Sequence, residues 1–184
     1  MIHTLKALGG MQVAPHHLAA QAGRDVLRDG GNAVEAMVAA AAAIAVVYPH
    51  MNAIGGDGFW LIHEPGKPVV AIDACGPAAA LASRDFYAGL SAIPSRGPTA
   101  ALTVAGTIGG WAKALEVAAP WGTALPLSRL LADGIRHARD GVVVTSVPLA
   151  TRARPAMPGS GQSKIPDLRP ASHGMPIRWP LCDA

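Results

Sequence analysis

Residues 30–49 read Gly30-Gly31-Asn32-Ala33-Val34-Glu35-Ala36-Met37-Val38-Ala39-Ala40-Ala41-Ala42-Ala43-Ile44-Ala45-Val46-Val47-Tyr48-Pro49. The stretch predicts a helix with no polar side. Asn32 is its natural N-cap, because a short side-chain oxygen can accept from the free amides of the first turn. Glu35 stands three positions on as the capping-box partner. Pro49 stops the helix, since proline carries no amide hydrogen and clashes with the turn before it. A helix that is apolar all round is buried between other layers. Its apolar run, 36–48, is shorter than the roughly 20 residues of a bilayer-spanning helix, so no membrane segment is read here.

On the N-terminal side, Leu18, Ala22 and Val26 recur every fourth residue, and Ala19 and Leu27 widen the stripe. That spacing predicts an amphipathic helix, ended by Gly30-Gly31 because glycine readily takes the left-handed conformation. Before it, Met11-Gln12-Val13-Ala14 reads as a short strand broken by Pro15 and His16. On the C-terminal side, residues 50–58 form a loop containing Ile54-Gly55-Gly56-Asp57-Gly58. Two strands follow, Phe59-Trp60-Leu61-Ile62-His63 and Pro68-Val69-Val70-Ala71-Ile72-Asp73, joined by the turn Glu64-Pro65-Gly66-Lys67. Proline presets one turn dihedral and glycine supplies the positive one. Both strands are apolar on both faces, so the pattern predicts a sheet covered on both sides.

Further on, 79–95 reads as irregular or weakly helical. A strand at 100–105 leads into a helix from about residue 109 to 119, closed by Pro120 and Gly122. A helix over 128–139 carries Leu131, Ile135 and Ala138 at core spacing, with Gly141 after it. Residues 142–144 read as extended and 145–152 as a helical start. At residue 153 the chain becomes rich in Pro, Gly, Ser and Arg and loses its apolar periodicity. The organisation predicted is one globular region, 1–152, and a disordered tail, 153–184.

The chain has 184 residues, 51% of them hydrophobic, 15% charged and only 4% aromatic. That is enough for a sizeable core, much of it alanine, which suits closely packed helices. The net charge of +3 comes from residue 152 onward, where Arg152, Arg154, Lys164, Arg169 and Arg178 face only Asp167 and Asp183. With no Lys/Arg run and few aromatics to stack on bases, nucleic acid is not an expected partner. The two cysteines, Cys75 and Cys182, lie far apart and outside any metal-ligand spacing, so no zinc site is expected. The start Met1-Ile2-His3-Thr4-Leu5-Lys6 lacks a secretory apolar core, and the expectation is a cytoplasmic protein.

Local chemical signals are few. Gly55-Gly56-Asp57-Gly58 follows a helix and opens a strand, the reverse of a dinucleotide-binding fingerprint, and no phosphate-loop Lys-Ser/Thr follows it. It reads as a tight backbone passage. His16 and His17 are adjacent, so their side chains are expected to diverge, and a turn or capping role is preferred over a metal. His50, beside the glycine loop, is the better candidate for lining a pocket. Cys75 directly follows the second strand, and nothing nearby in sequence activates it as a nucleophile. No cofactor, catalytic residue or metal ligand is assigned from these residues.

The order of the pieces says more than any one of them. His16-His17-Leu18-Ala19, Ala22-Gly23, Gly30-Gly31-Asn32-Ala33-Val34-Glu35-Ala36, Pro49-His50, Ile54-Gly55-Gly56-Asp57-Gly58-Phe59, Thr103-Val104-Ala105-Gly106 and Asp140-Gly141-Val142 resemble, in sequence order, the start of gamma-glutamyltranspeptidases. The resemblance runs over about residues 7–152. It implies an α+β fold, part of the αββα sandwich of N-terminal-nucleophile hydrolases. It also implies a precursor that cuts itself once. The new N-terminal threonine of a small subunit then attacks a gamma-glutamyl or related amide, its own amine serving as base. The chain is expected to be the N-terminal part of the large subunit.

Two departures qualify the resemblance. No Thr-Thr-His segment of the family's nucleophile type occurs in the sequence, and Thr145 and Thr151 stand in the wrong context. The family's arginine after the second hairpin strand, which grips the substrate's α-carboxylate, has no counterpart in Asp73-Ala74-Cys75-Gly76-Pro77, and Arg84 lies too far along. The expectations are therefore a protein inactive alone, cut short by a frameshift in a GC-rich gene. The alternatives are a large-subunit partner of a separately encoded catalytic chain, of the oxamate-amidohydrolase or acylase type, or a non-catalytic interaction module. The expected partners are a small subunit carrying the threonine and a small amide or gamma-glutamyl substrate.

Overall fold

The computed structural model describes residues 6–95, 97–100, 103–122 and 124–143. The elements run α1 (His17–Arg28), α2 (Ala33–Val47), β1 (Gly58–Ile62), β2 (Val70–Ala74), α3 (Thr107–Ala118) and α4 (Leu127–Asp140). The fold is mixed helix and strand, as read from the sequence.

Helix α2 is central. Asn32 Oδ1 accepts from the amides of Val34 (3.0 Å) and Glu35 (2.9 Å), and Glu35 Oε2 accepts from the Asn32 amide (2.8 Å), completing the predicted capping box. Ala36, Val38, Ala39, Ala43 and Ile44 are buried around the helix, but it is not enclosed on every side as predicted: Met37 is 44% exposed and, with Ala41 and Ala45, lines an open hollow. Helices α1 and α4 flank it, and α3 touches it. Small residues set the spacing. A Cβ on Gly23 of α1 would stand 2.7 Å from the Ala36 carbonyl, and one on Gly134 of α4 would stand 3.2 Å from that of Ala42. Fully buried Val26, Val38 and Leu130 lock the three helices together. Each such side chain contributes about 1.5–3 kcal/mol by leaving water.

Helix α1 ends with Gly30 at φ 91°, the left-handed conformation expected of it. The Asp29 carboxylate there accepts from Arg129 Nε of α4 at 2.6 Å. A second tie is buried: Glu35 Oε1 accepts from the Leu125 amide (2.8 Å), fixing the entry to α4. Pro126 precedes that helix, which starts one residue earlier than predicted, at Leu127.

Strands β1 and β2 form an antiparallel hairpin in the register Trp60↔Ile72 and Ile62↔Val70. Gly66 in its turn has φ 81°, and the Lys67 amide donates to the Glu64 carbonyl at 3.0 Å. Glu64 also accepts from Trp121 Nε1 (2.7 Å), which fastens the turn to the end of α3. The prediction of two covered faces is corrected here. Trp60, Ile62 and Ile72 face α3 with Ala114 and Ala118. On the other face Phe59 and Leu61 are 72% and 81% exposed. No further strand covers them among the described residues. Leu61→Thr is accordingly expected to change the unfolding free energy by less than about 0.5 kcal/mol, while lowering light scattering of the purified chain.

Other expectations shift. Residues 11–14 form no strand among the described residues, with Val13 75% exposed. Of the strand at 100–105, of which 101 and 102 lie outside the described residues, the described part shows one bridge, Ala78↔Thr103. Residues 79–95 are turns, and this excursion is pinned by the Tyr87 hydroxyl, which donates to the Thr99 carbonyl at 2.9 Å. The extended piece at 142–144 is described only to Val143. The helical start at 145–152 and the tail at 153–184 lie outside the described residues. Among the described residues no helix is long and apolar enough to cross a membrane.

Candidate functional site

Three chain segments meet where the hairpin runs into α3. The first is the glycine loop. The Gly56 carbonyl accepts from the amides of Gly106 and Thr107 (both 3.0 Å) and from Thr107 Oγ1 (2.7 Å). That carbonyl occupies the N-terminus of α3, where a bound anion would otherwise find its donors. The loop is thus a backbone anchor, and α3 starts at Thr107, two residues before the predicted Gly109.

The second segment is the exit of β2. Asp73 Oδ1 accepts from the Cys75 amide (2.9 Å), and Asp57 Oδ1 accepts from the Gly76 amide (3.1 Å). The third is the lead into α3. The Val104 amide donates to the Pro77 carbonyl at 3.0 Å. Here the backbones lie so close that a Cβ on Gly76 would collide with the Val104 carbonyl, and one on Gly106 with the Ala74 carbonyl.

Two open hollows border this junction. One, of about 400 Å³, is lined by Met37, Met51, Asn52, Asp57, Trp60 and Trp111 among others. The other, of about 240 Å³, lies at the end of β2 and is lined by Asp73, Cys75, Gly76, Pro77, Gly106 and Lys113 among others. Cys75 is exposed there as a free thiol. The Asp57 carboxylate, followed by some loss of hydration and the charge of Asp73, pushes the thiol pKa up. A thiol in that setting stays protonated and is a poor nucleophile.

The other sequence candidates fall elsewhere. His16 caps α1, its Nδ1 accepting from the Leu18 amide at 3.2 Å. His17 does not diverge from it: the rings stack with centroids 4.7 Å apart, because His16 is the extended N-cap and His17 the first helical residue. His50 packs on Tyr48 (centroids 4.1 Å) and is not among the residues lining either hollow. Arg84 is exposed in the turn-rich excursion. Thr145 and Thr151 lie outside the described residues. Among the described residues no group of three or more His, Cys, Asp or Glu is placed to hold a metal ion. Asp57, Thr107 and Lys113 were missed. Asp57 carried one signal, being the lone polar residue among the loop glycines, and Thr107 another, a hydroxyl directly after the glycine that precedes α3.

The family model described as gamma-glutamyltranspeptidase matches residues 19–157. The chain belongs to the gamma-glutamyltranspeptidase family. It is 62% identical over 138 residues to the oxamate amidohydrolase proenzyme of Klebsiella pneumoniae, a match covering 74% of this chain and 26% of that one. With the glutathione hydrolase proenzyme of Escherichia coli it shares 33% identity over 171 residues, covering 89% of this chain and 29% of that one. The solved gamma-glutamyltranspeptidase of Helicobacter pylori superposes with a TM-score of 0.70 at 30% identity, over 81% of this chain and 43% of that one. This family member therefore spans roughly a quarter of the length of the curated relatives it matches.

Proposed function

We propose that this chain supplies the opening scaffold of the large subunit of an N-terminal-nucleophile amidohydrolase acting on a small amide rather than on a gamma-glutamyl compound. In this reading the hairpin belongs to one of two stacked sheets, and the layer over Phe59 and Leu61 comes from polypeptide outside these 184 residues. So does the nucleophilic threonine. Its hydroxyl would attack the amide carbon, its own amine would take the proton, and the amine or ammonia would leave before water releases the acyl group.

The observation that carries the substrate class is the end of β2. The resemblance implies an arginine there to hold an α-carboxylate by two parallel hydrogen bonds. This chain has a neutral thiol between Asp57 and Asp73 instead. A glutamyl α-carboxylate entering that hollow would meet the like charge of Asp73 and no guanidinium, with Lys113 the one cation on the lining among the described residues. The high identity to an oxamate amidohydrolase proenzyme supports the same assignment.

The test is an amidase assay on this chain alone, and then co-expressed with a polypeptide bearing the family's threonine segment. Expected are no turnover by the chain alone, ammonia release from oxamate by the pair, and little cleavage of a gamma-glutamyl anilide. Cys75→Arg in the pair is expected to raise the gamma-glutamyl kcat/KM relative to that for oxamate by about tenfold, one guanidinium–carboxylate contact. Turnover by the chain alone, its mass confirming a single polypeptide, would overturn the reading. A pair that prefers gamma-glutamyl substrates while keeping Cys75 would overturn the substrate class.

A further inference from the structure

Three elements bring ionisable rings together at the start of α1. His16 is 4% exposed and His137, in the last turn of α4, is 6% exposed. His17 stacks on His16, and the Tyr48 ring, just past α2, lies 6.2 Å from that of His16, with His50 beyond it. We propose that this cluster is an acid-sensitive latch, in which protonation of His16 and His137 frees α1 from α2 and α4 while the hairpin and α3 stay docked.

The geometry of His16 carries the idea. Its Nδ1 accepts from the Leu18 amide, so in the neutral ring the proton sits on Nε2. That Nε2 is buried and makes no hydrogen bond among the described residues. A second proton can go only to Nδ1, where it would point at an N–H and abolish the cap. It would also place positive charge at the positive end of the helix. Burial, then the neighbouring His17 and His137, hold the His16 pKa below its ordinary value. For His137, burial first and Arg136 next lower the pKa, and Asp133 and Asp140 offset them only in part.

The sign follows from linkage. Both folded values lie below the unfolded one, so this stability is complete above about pH 6.5 and is lost as the pH falls below it toward the folded values. Over that window each histidine shifts the closed–open balance by up to about tenfold per pH unit. At that end the contacts that protonation must overcome are Ala19 and Ala22 of α1 against Ala43, Ile44 and Val47 of α2, with Ala14, Leu18, Tyr48 and Val142 packed beside them.

Deuterium uptake of the full 184-residue chain at about pH 7.5 and 5.5, corrected for intrinsic exchange, tests the latch. Peptides from α1 are expected to lose protection by about tenfold or more at the lower pH, and peptides from α3 to hold theirs. In His16→Asn, which caps without titrating, the α1 loss is expected to shrink severalfold. An unchanged pH response in that variant, or equal loss in α1 and α3, would overturn the proposal. Should the variant not fold, proton resonances of the wild-type histidines decide. A His16 midpoint well below that of a model peptide supports the latch, and an ordinary midpoint with α1 still protected defeats it.

Discussion

Gly76→Ala is expected to abolish the folded state of this chain, or to lower its unfolding free energy by more than about 4 kcal/mol. Added core atoms ordinarily cost about 1–3 kcal/mol, because side chains rotate away. At Gly76 the obstacle is the Val104 carbonyl, which cannot rotate. Val104 is held on one side by the hydrogen bond that its amide donates to the Pro77 carbonyl, and two residues on the Gly106 amide donates to the Gly56 carbonyl. Relieving the collision therefore means breaking the junction of all three segments. A domain stabilised by about 5–15 kcal/mol has little reserve against that. Gly109→Ala is the control, since nothing lies within 4 Å of its added methyl. In the first turn of α3 it is expected to raise stability by up to about 1 kcal/mol. Urea midpoints compare the two, and a Gly76→Ala midpoint equal to wild type would mean that the segments do not pack in this way.

The second large effect belongs to Glu35, a carboxylate only 3% exposed. One oxygen accepts from the Asn32 amide and the other from the Leu125 amide, both at 2.8 Å. Glu35→Ala strands both donors and opens a cavity beside α2. The expected loss is about 3–5 kcal/mol, the range for removing one member of a buried charge-assisted network. Glu35→Gln retains one acceptor but turns an NH2 group toward the other donor, so an intermediate loss is expected. Amide exchange should report the α4 entry opening along with the α2 cap. If Glu35→Ala costs under about 1 kcal/mol, the two ends are not coupled through this side chain.

The helices were legible because their signals are local. Asn32 and Glu35 mark a cap, Gly30 and Gly141 mark ends, and Pro49 marks a stop, each through a backbone constraint confined to one turn. The hairpin was legible for the same reason, from Pro65-Gly66. What the sequence hid is contact at long range. Nothing near Glu35 points to Leu125, and nothing near Gly56 points to Thr107, which it meets through a backbone carbonyl. The two-sided apolar pattern of Phe59-Trp60-Leu61-Ile62 was read as two covered faces, and only the Trp60 and Ile62 side is packed among the described residues. The stacking of His17 on His16 escaped because adjacent side chains are expected to diverge, whereas His16 is the extended N-cap and His17 the first helical residue.

The excursion from Ala78 to Thr103 has its two ends clamped side by side, the one by the bridge and the other by the Gly76–Val104 approach. Among the described residues its middle is turns closed by local backbone hydrogen bonds, such as those from Ala82 to Ala79 and from Leu90 to Tyr87, with the Tyr87 hydroxyl reaching across to Thr99. Closing such a span becomes harder by only about 0.6 kcal/mol for each doubling of its length. Evolution, or an engineer, thus has a place to splice in foreign sequence without retuning the helices, provided the splice stays clear of the clamp.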